Sequence, residues 1–146
     1  MRITQEADYA LRAIYYLSTL EEGTKASANV IARSQNIPLR FLLKLLQKLR
    51  NAGLVESYMG VNGGYALSRK PKDISFLDVI EAIDGPVYIN RCLYDPESCN
   101  NLGVEKCSIH KALHQIQENL KKDLSSINFQ QVLDDTELDG TEYEEV

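Results

Sequence analysis

The chain has 146 residues, 44% of them hydrophobic, and a net charge of -5 at neutral pH, which suits one domain, or a small domain with an appendage, that buries a core. Its apolar stretches stop short of the roughly 18 to 20 residues of a membrane span, and its start lacks the regions of an export signal, so the expected compartment is the cytoplasm, with no membrane partner. Three cysteines in such a compartment are not a disulfide framework, which leaves metal binding or thiol chemistry. The charge is unevenly spread. Residues 1–72 carry eleven Lys or Arg against five Asp or Glu, a net of +6 (11 minus 5), whereas 134–146 carry seven acidic residues and no basic one. A basic front half and a disordered acidic tail are expected.

Taken in order, residues 4–20 place Ala7, Ala10, Leu11, Ile14 and Leu17 on one helical face, with Thr4 as N-cap. Ser27 caps a short helix ending at Ser34, Gln35-Asn36-Ile37 breaks it, and Pro38 opens a helix over 38–51. In that longer helix Leu39, Leu42, Leu46 and Leu49 form the expected core face; Arg40, Lys44, Gln47, Lys48 and Asn51 share the other side. LVESYMGVNGGYALSRK reads as a β-hairpin, because Asn62-Gly63 and Gly63-Gly64 supply the positive φ angles of its turn. Ser75 and Asp78 resemble a capping box for a fourth helix over 75–84, ended by Gly85. Residues 108–127 carry a narrow seam of Ile109, Leu113, Ile116, Leu120, Leu124 and Ile127, best buried against another helix, as in a coiled-coil-like dimer. One last turn, FQQVL, precedes the acidic tail.

The expected fold class is therefore mainly α with a small β-hairpin: a winged helix-turn-helix domain over 1–85, a loop over 86–107, a dimerisation helix and last turn over 108–133, and the tail over 134–146. A helix pair with a basic outer face, followed at once by a hairpin, points to double-stranded DNA. Arg40, Lys44 and Gln47 are the candidates for base edges, whose N7 and O6 acceptors they can reach. Lys48, Arg33 and Arg69 are the candidates for phosphates, and Asn62 at the hairpin tip is counted among the DNA-facing residues. A homodimer presenting two such helices predicts a roughly palindromic operator.

The cysteines are spaced Cys92-x6-Cys99-x7-Cys107-x2-His110. Zinc sites usually bring two ligands together as Cys-x2-4-Cys, so these gaps suit a loop draped around something larger, such as an iron-sulfur cluster. Two fourth ligands stay open: His110, one turn after Cys107, and Asp8 on the polar side of the first helix, reaching the loop of a partner subunit. A regulator without a cluster, whose thiols bind another metal or meet oxidants, is the alternative. An electron carrier or enzyme is a further one, although no Gly-rich phosphate loop and no Ser-His-Asp set stands out, and no enzymatic activity is expected.

RITQEADYALRA, PLRFLLKLLQKLRNAGLVES, GVNGGYALSR, FLDVIEAIDG and the three-cysteine loop together resemble the Rrf2 family of winged-helix regulators, from residue 1 to about 133. The resemblance implies a dimer that binds operator DNA, with Cys92, Cys99 and Cys107 as cluster ligands. EKCSIH looks like the segment whose histidine completes a 2Fe-2S site in IscR-like members, which favours His110; Asp8 matches the carboxylate that ligates a 4Fe-4S cluster in NsrR-like members. Met59 and Leu43 depart from the pattern, standing where IscR-like members carry a wing arginine and a recognition-helix glutamate, so no operator sequence carries over.

Overall fold

The computed structural model describes residues 2–138. Its first helix, α1 (Gln5–Ser18), starts where Thr4 Oγ1 accepts from the Ala7 amide at 3.1 Å, one of the amides a helix start leaves unpaired. Ala7, Ala10 and Ala13 line its inner side, fully buried with Ile14 and Leu17. Side chains this small let α2 (Ala28–Gln35), α3 (Leu39–Asn51), α4 (Phe76–Asp84) and α6 (Phe129–Leu138) all pack on α1, which is the centre of the core.

Ser27 caps α2, which ends with Asn36 in the left-handed conformation at φ 53°. That single residue turns the chain, Ile37 drops into the core, and Pro38 becomes the N-cap of α3 rather than its first residue. The buried side of α3 is Leu42, Leu45, Leu46 and Leu49. Leu39, expected in the core, is 39% exposed, and Leu45 takes its place. Leu42, Leu46 and Leu49 are shared with the predicted face, so the inner side differs from it only in taking in Leu45 on one edge and leaving Leu39 out on the other.

The hairpin is β1 (Val55–Tyr58) and β2 (Gly64–Leu67), antiparallel, with Val55 opposite Leu67 and Tyr58 opposite Gly64. The outer edge of β2 pairs with Ala26, through Ala26 N–H to Tyr65 O at 3.0 Å and Tyr65 N–H to Ala26 O at 2.7 Å, which fastens the wing to the α1–α2 connection. Its turn differs from the predicted one. Gly60 and Gly64 carry the positive φ angles, and Asn62 does not. Gly63 is required for another reason: a Cβ there would run into the carbonyl of Tyr58.

The predicted capping box is present at α4, with Asp78 N–H to Ser75 Oγ at 3.1 Å and Ser75 N–H to Asp78 Oδ2 at 2.9 Å, and Gly85 caps its end. Beyond the cysteine loop, α5 (Ser108–Ser126) runs outward. The chain then returns to the core: Phe76 N–H donates to Ile127 O at 3.0 Å, Phe129 N–H to Ile74 O at 3.2 Å, and the Phe76 and Phe129 rings stack with centroids 5.1 Å apart. The predicted last turn is in fact the start of a ten-residue helix, α6, because Asn128 and Gln131 cap it reciprocally and Gln130 bonds Asp134 one turn on. Residues 134–138 of the predicted tail are thus helical; the rest of it lies outside the described residues.

Candidate DNA-facing surface and cysteine loop

With four leucines of α3 turned inward, Arg40, Lys44 and Gln47 are left exposed on the opposite side. Arg40 leans along the helix, its guanidinium carbon 5.1 Å from the Phe41 ring centroid. Lys48 stands on the flank rather than at the centre, its Nζ 3.5 Å from both Glu6 Oε2 and the Ile83 carbonyl, so it already bridges α1 and α4. Arg33 is exposed on α2 and Arg69 just beyond β2; Asn62 is exposed in the wing turn. At the turn end of β1, Lys25 Nζ sits 3.9 Å from the centre of the Tyr58 ring, whose hydroxyl donates to Glu56 at 2.5 Å. That bond and the negative charge of Glu56 hold the Tyr58 hydroxyl above its ordinary pKa. Tyr58 is therefore a neutral donor at neutral pH, and Lys25 is the cation of the pair.

The loop between α4 and α5 is built from three short 3-10 turns, Arg91–Leu93, Pro96–Ser98 and Val104–Lys106. Each supplies one sulfur: Cys92 lies within the first turn, Cys99 directly follows the second, and Cys107 directly follows the third. All three are half-buried free thiols. Cys107 is also the N-cap of α5, its Sγ accepting from the His110 amide at 3.4 Å. The same histidine turns its ring to Cys92, with Nδ1 3.2 Å from Sγ, and Asn90 Nδ2 donates to that sulfur at 3.4 Å.

His110 therefore joins two of the predicted ligands, Cys92 and Cys107. Among the described residues no three His, Cys, Asp or Glu side chains converge as a metal site, so the three sulfurs are not gathered round one point. Asp8 is engaged elsewhere, its Oδ2 accepting from Arg12 Nη2 at 2.9 Å. The donor set nevertheless fits an iron-sulfur cluster in kind, being three thiols with an imidazole already seated beside one of them. Asn100, Asn101 and Leu102, all exposed, link Cys99 to the third turn.

The start of the loop is latched to α5. Gln117, 3% exposed, accepts from the Ile89 amide through Oε1 at 3.0 Å. Lys121 Nζ lies 5.9 Å from the Tyr88 ring centroid, and Tyr88 stacks on Tyr94 at 5.2 Å. The sequence reading sets Gln117, with Lys111, Lys121 and Lys122, away from the apolar seam of this helix, whereas the structure buries it: it shares helical spacing with Leu113, Leu120 and Leu124 and so belongs to the inner side of α5.

Residues 3–135 match the family model Rrf2, described as an iron-dependent transcriptional regulator. The chain belongs to the Rrf2 family. Over 87 residues it is 42% identical to a Mycobacterium tuberculosis protein named for the helix-turn-helix type of transcriptional regulator; this covers 60% of the chain and 54% of that protein, so the chain spans about half the length of that relative. It is 32% identical over 139 residues to the HTH-type transcriptional regulator IscR of Aliivibrio salmonicida, covering 94% of this chain and 80% of IscR. The fold is similar to that of CymR, the global cysteine regulator of Bacillus subtilis, with a TM-score of 0.73 and 26% identity over 90% of this chain and 95% of CymR. Members of the Rrf2 family are thus transcriptional regulators, a class apart from enzymes, and the mainly helical winged-helix architecture is theirs. Among the described residues, no helix is long and apolar enough to cross a membrane.

Proposed function

We propose that the chain is a homodimeric, DNA-binding transcriptional regulator whose operator affinity is switched by an iron-sulfur cluster on Cys92, Cys99, Cys107 and His110. The observation that carries the cluster is the double engagement of His110, whose amide serves Cys107 while its ring meets Cys92 at 3.2 Å; similarity to IscR supports it. His110 is preferred to Asp8 because its ring already lies on Cys92 within the loop. This is the donor set of a 2Fe-2S site; a 4Fe-4S cluster with Asp8 is the variant reading. When bound, such a cluster supplies a redox- and nitric-oxide-sensitive centre.

The protein's own residues do the rest. Arg40, Lys44 and Gln47 meet base edges in the major groove, while Arg33, Arg69 and, once released from Glu6, Lys48 hold phosphates, with Asn62 carried on the wing. Residues 1–85 form the DNA-binding domain, 86–107 the sensing loop and 108–133 the dimerisation segment. Ile109 and Ile116 on α5 are 71% and 55% exposed in the single chain and need a cover, which a second copy provides. Because Gln117 ties the loop to α5, loop order changes the setting of the two winged domains. A tenfold change in affinity needs only about 1.4 kcal/mol of coupling between the two states.

A second reading, a regulator whose thiols bind another metal or react with oxidants directly, is favoured by the three sulfurs not being gathered with a fourth donor among the described residues. Anaerobic purification decides between them. The first reading expects visible absorption, iron and acid-labile sulfide, loss of colour in Cys92→Ala and His110→Ala, and operator affinity that differs with and without the cluster. A colourless, iron-free protein with unchanged affinity would refute it.

A further inference from the structure

The inner side of α3 is set by Leu42, Leu45, Leu46 and Leu49. At about 100° per residue, the opposite direction falls among Arg40, Lys44 and Gln47, and Leu43 stands about 40° from Gln47, one turn beyond Leu39 on the same flank. Leu43 is 45% exposed, slightly more than Leu39. The neighbouring arginine does not shade it, since Arg40 leans towards Phe41 on the opposite flank. A single exposed leucine needs no account. Two in helical register, beside the exposed Arg40 and Lys44 and with Arg33 on the preceding helix, ask what they meet.

The charge around them fits a polyanion rather than an apolar protein groove or a lipid. In the major groove of such a partner, base edges offer donors, acceptors and one apolar group, the C5-methyl of thymine. The first residues of a recognition helix are the ones that reach base edges, and Leu39 and Leu43 are the first and fifth residues of α3. We infer that Leu43, supported by Leu39 one turn before it, packs on a thymine C5-methyl in each operator half-site and thereby selects thymine over cytosine there. This inference rests on the DNA-binding reading above.

The test starts from duplexes selected with the full-length protein, in which thymines of the half-site are replaced one at a time by deoxyuridine. That change deletes the methyl and leaves the hydrogen-bonding edge intact. At one position per half-site it is expected to weaken binding about fourfold, and about fifteenfold when both half-sites are changed, the loss expected for one or two buried methyl-sized groups. Leu43→Ala, at an exposed position and with a strong helix former, should bind thymine and uracil duplexes equally while keeping the salt dependence of the parent protein. The inference is overturned if the selected half-site holds no thymine, if uracil is silent at every position, or if Leu43→Ala discriminates as the parent does. Arg40→Ala and Lys44→Ala separate the two levels: if they lose affinity while uracil is silent, DNA binding stands and the methyl contact falls. If the parent protein binds no selected duplex, the DNA-binding reading falls with it.

Discussion

Arg12 donates from Nη1 to the carbonyl of Gln35 at 2.8 Å, across 23 residues of chain. Gln35 is the last residue of α2, and Asn36 beside it makes the left-handed turn into α3. One guanidinium on the central helix therefore satisfies a carbonyl that the end of α2 leaves unpaired and holds the turn that leads into α3. Its Nη2 meets Asp8, while its Nε is buried without a partner.

Arg12→Ala is accordingly expected to lose about 1 to 3 kcal/mol, the range for removing a charged hydrogen-bond partner from a part-buried carbonyl. Asp8→Asn removes only an exposed i,i+4 pair and should change stability by less than about 0.5 kcal/mol. Urea unfolding of the two variants checks the contrast; equal losses would mean that the Gln35 bond is not the important one.

Phe129 is buried against Phe76 and brings the chain back to the core after α5. Phe129→Ala should destabilise by about 3 to 5 kcal/mol, as truncation of a buried aromatic does, and should loosen α6 before the rest. Hydrogen exchange of the Phe129 amide, which donates to Ile74, reports the local opening, and thermal melting reports the total.

On α5 the prediction concerns assembly rather than folding. Ile116→Asp places a charge on the exposed seam, so sedimentation should show a monomer whose near-UV circular dichroism resembles that of the parent. A dimer that persists at micromolar concentration would move the interface elsewhere.

Gln117→Leu keeps the volume of the side chain and removes the acceptor of the Ile89 amide. The expected result is a loop that exchanges amide protons faster around Ile89, with a stability loss of about 1 to 3 kcal/mol. In protein loaded with iron, colour should be lost faster than from the parent.

The local devices were readable because each is decided within a few residues. Thr4, Ser27, and Ser75 with Asp78 announce helix starts through their own side chains, and all three cap as predicted. The inner side of α3 was misread at Leu39 because the αL turn at Asn36 and the packing on α1 set its rotation, and neither is visible in the spacing of the six leucines of α3. The wing turn was misread for a similar reason: Gly63 and Gly64 are demanded by the approach of Tyr58 and Ala26, not by a two-residue turn. At the cysteines, spacing pointed to the three sulfurs and the histidine, but which of them already touch depends on how the loop lies on α5, through Ile89 and Gln117, residues 28 apart.

The division of the loop into three separate turns has a mechanical consequence. Each sulfur is presented by its own few residues, so lengthening a gap between cysteines adds slack without altering how any one thiol is offered. Each thiol is thus held by its own turn, apart from the hold on the other two. Cys92 meets the ring of His110 and Cys107 its amide, so these two turns are joined through one residue at the start of α5.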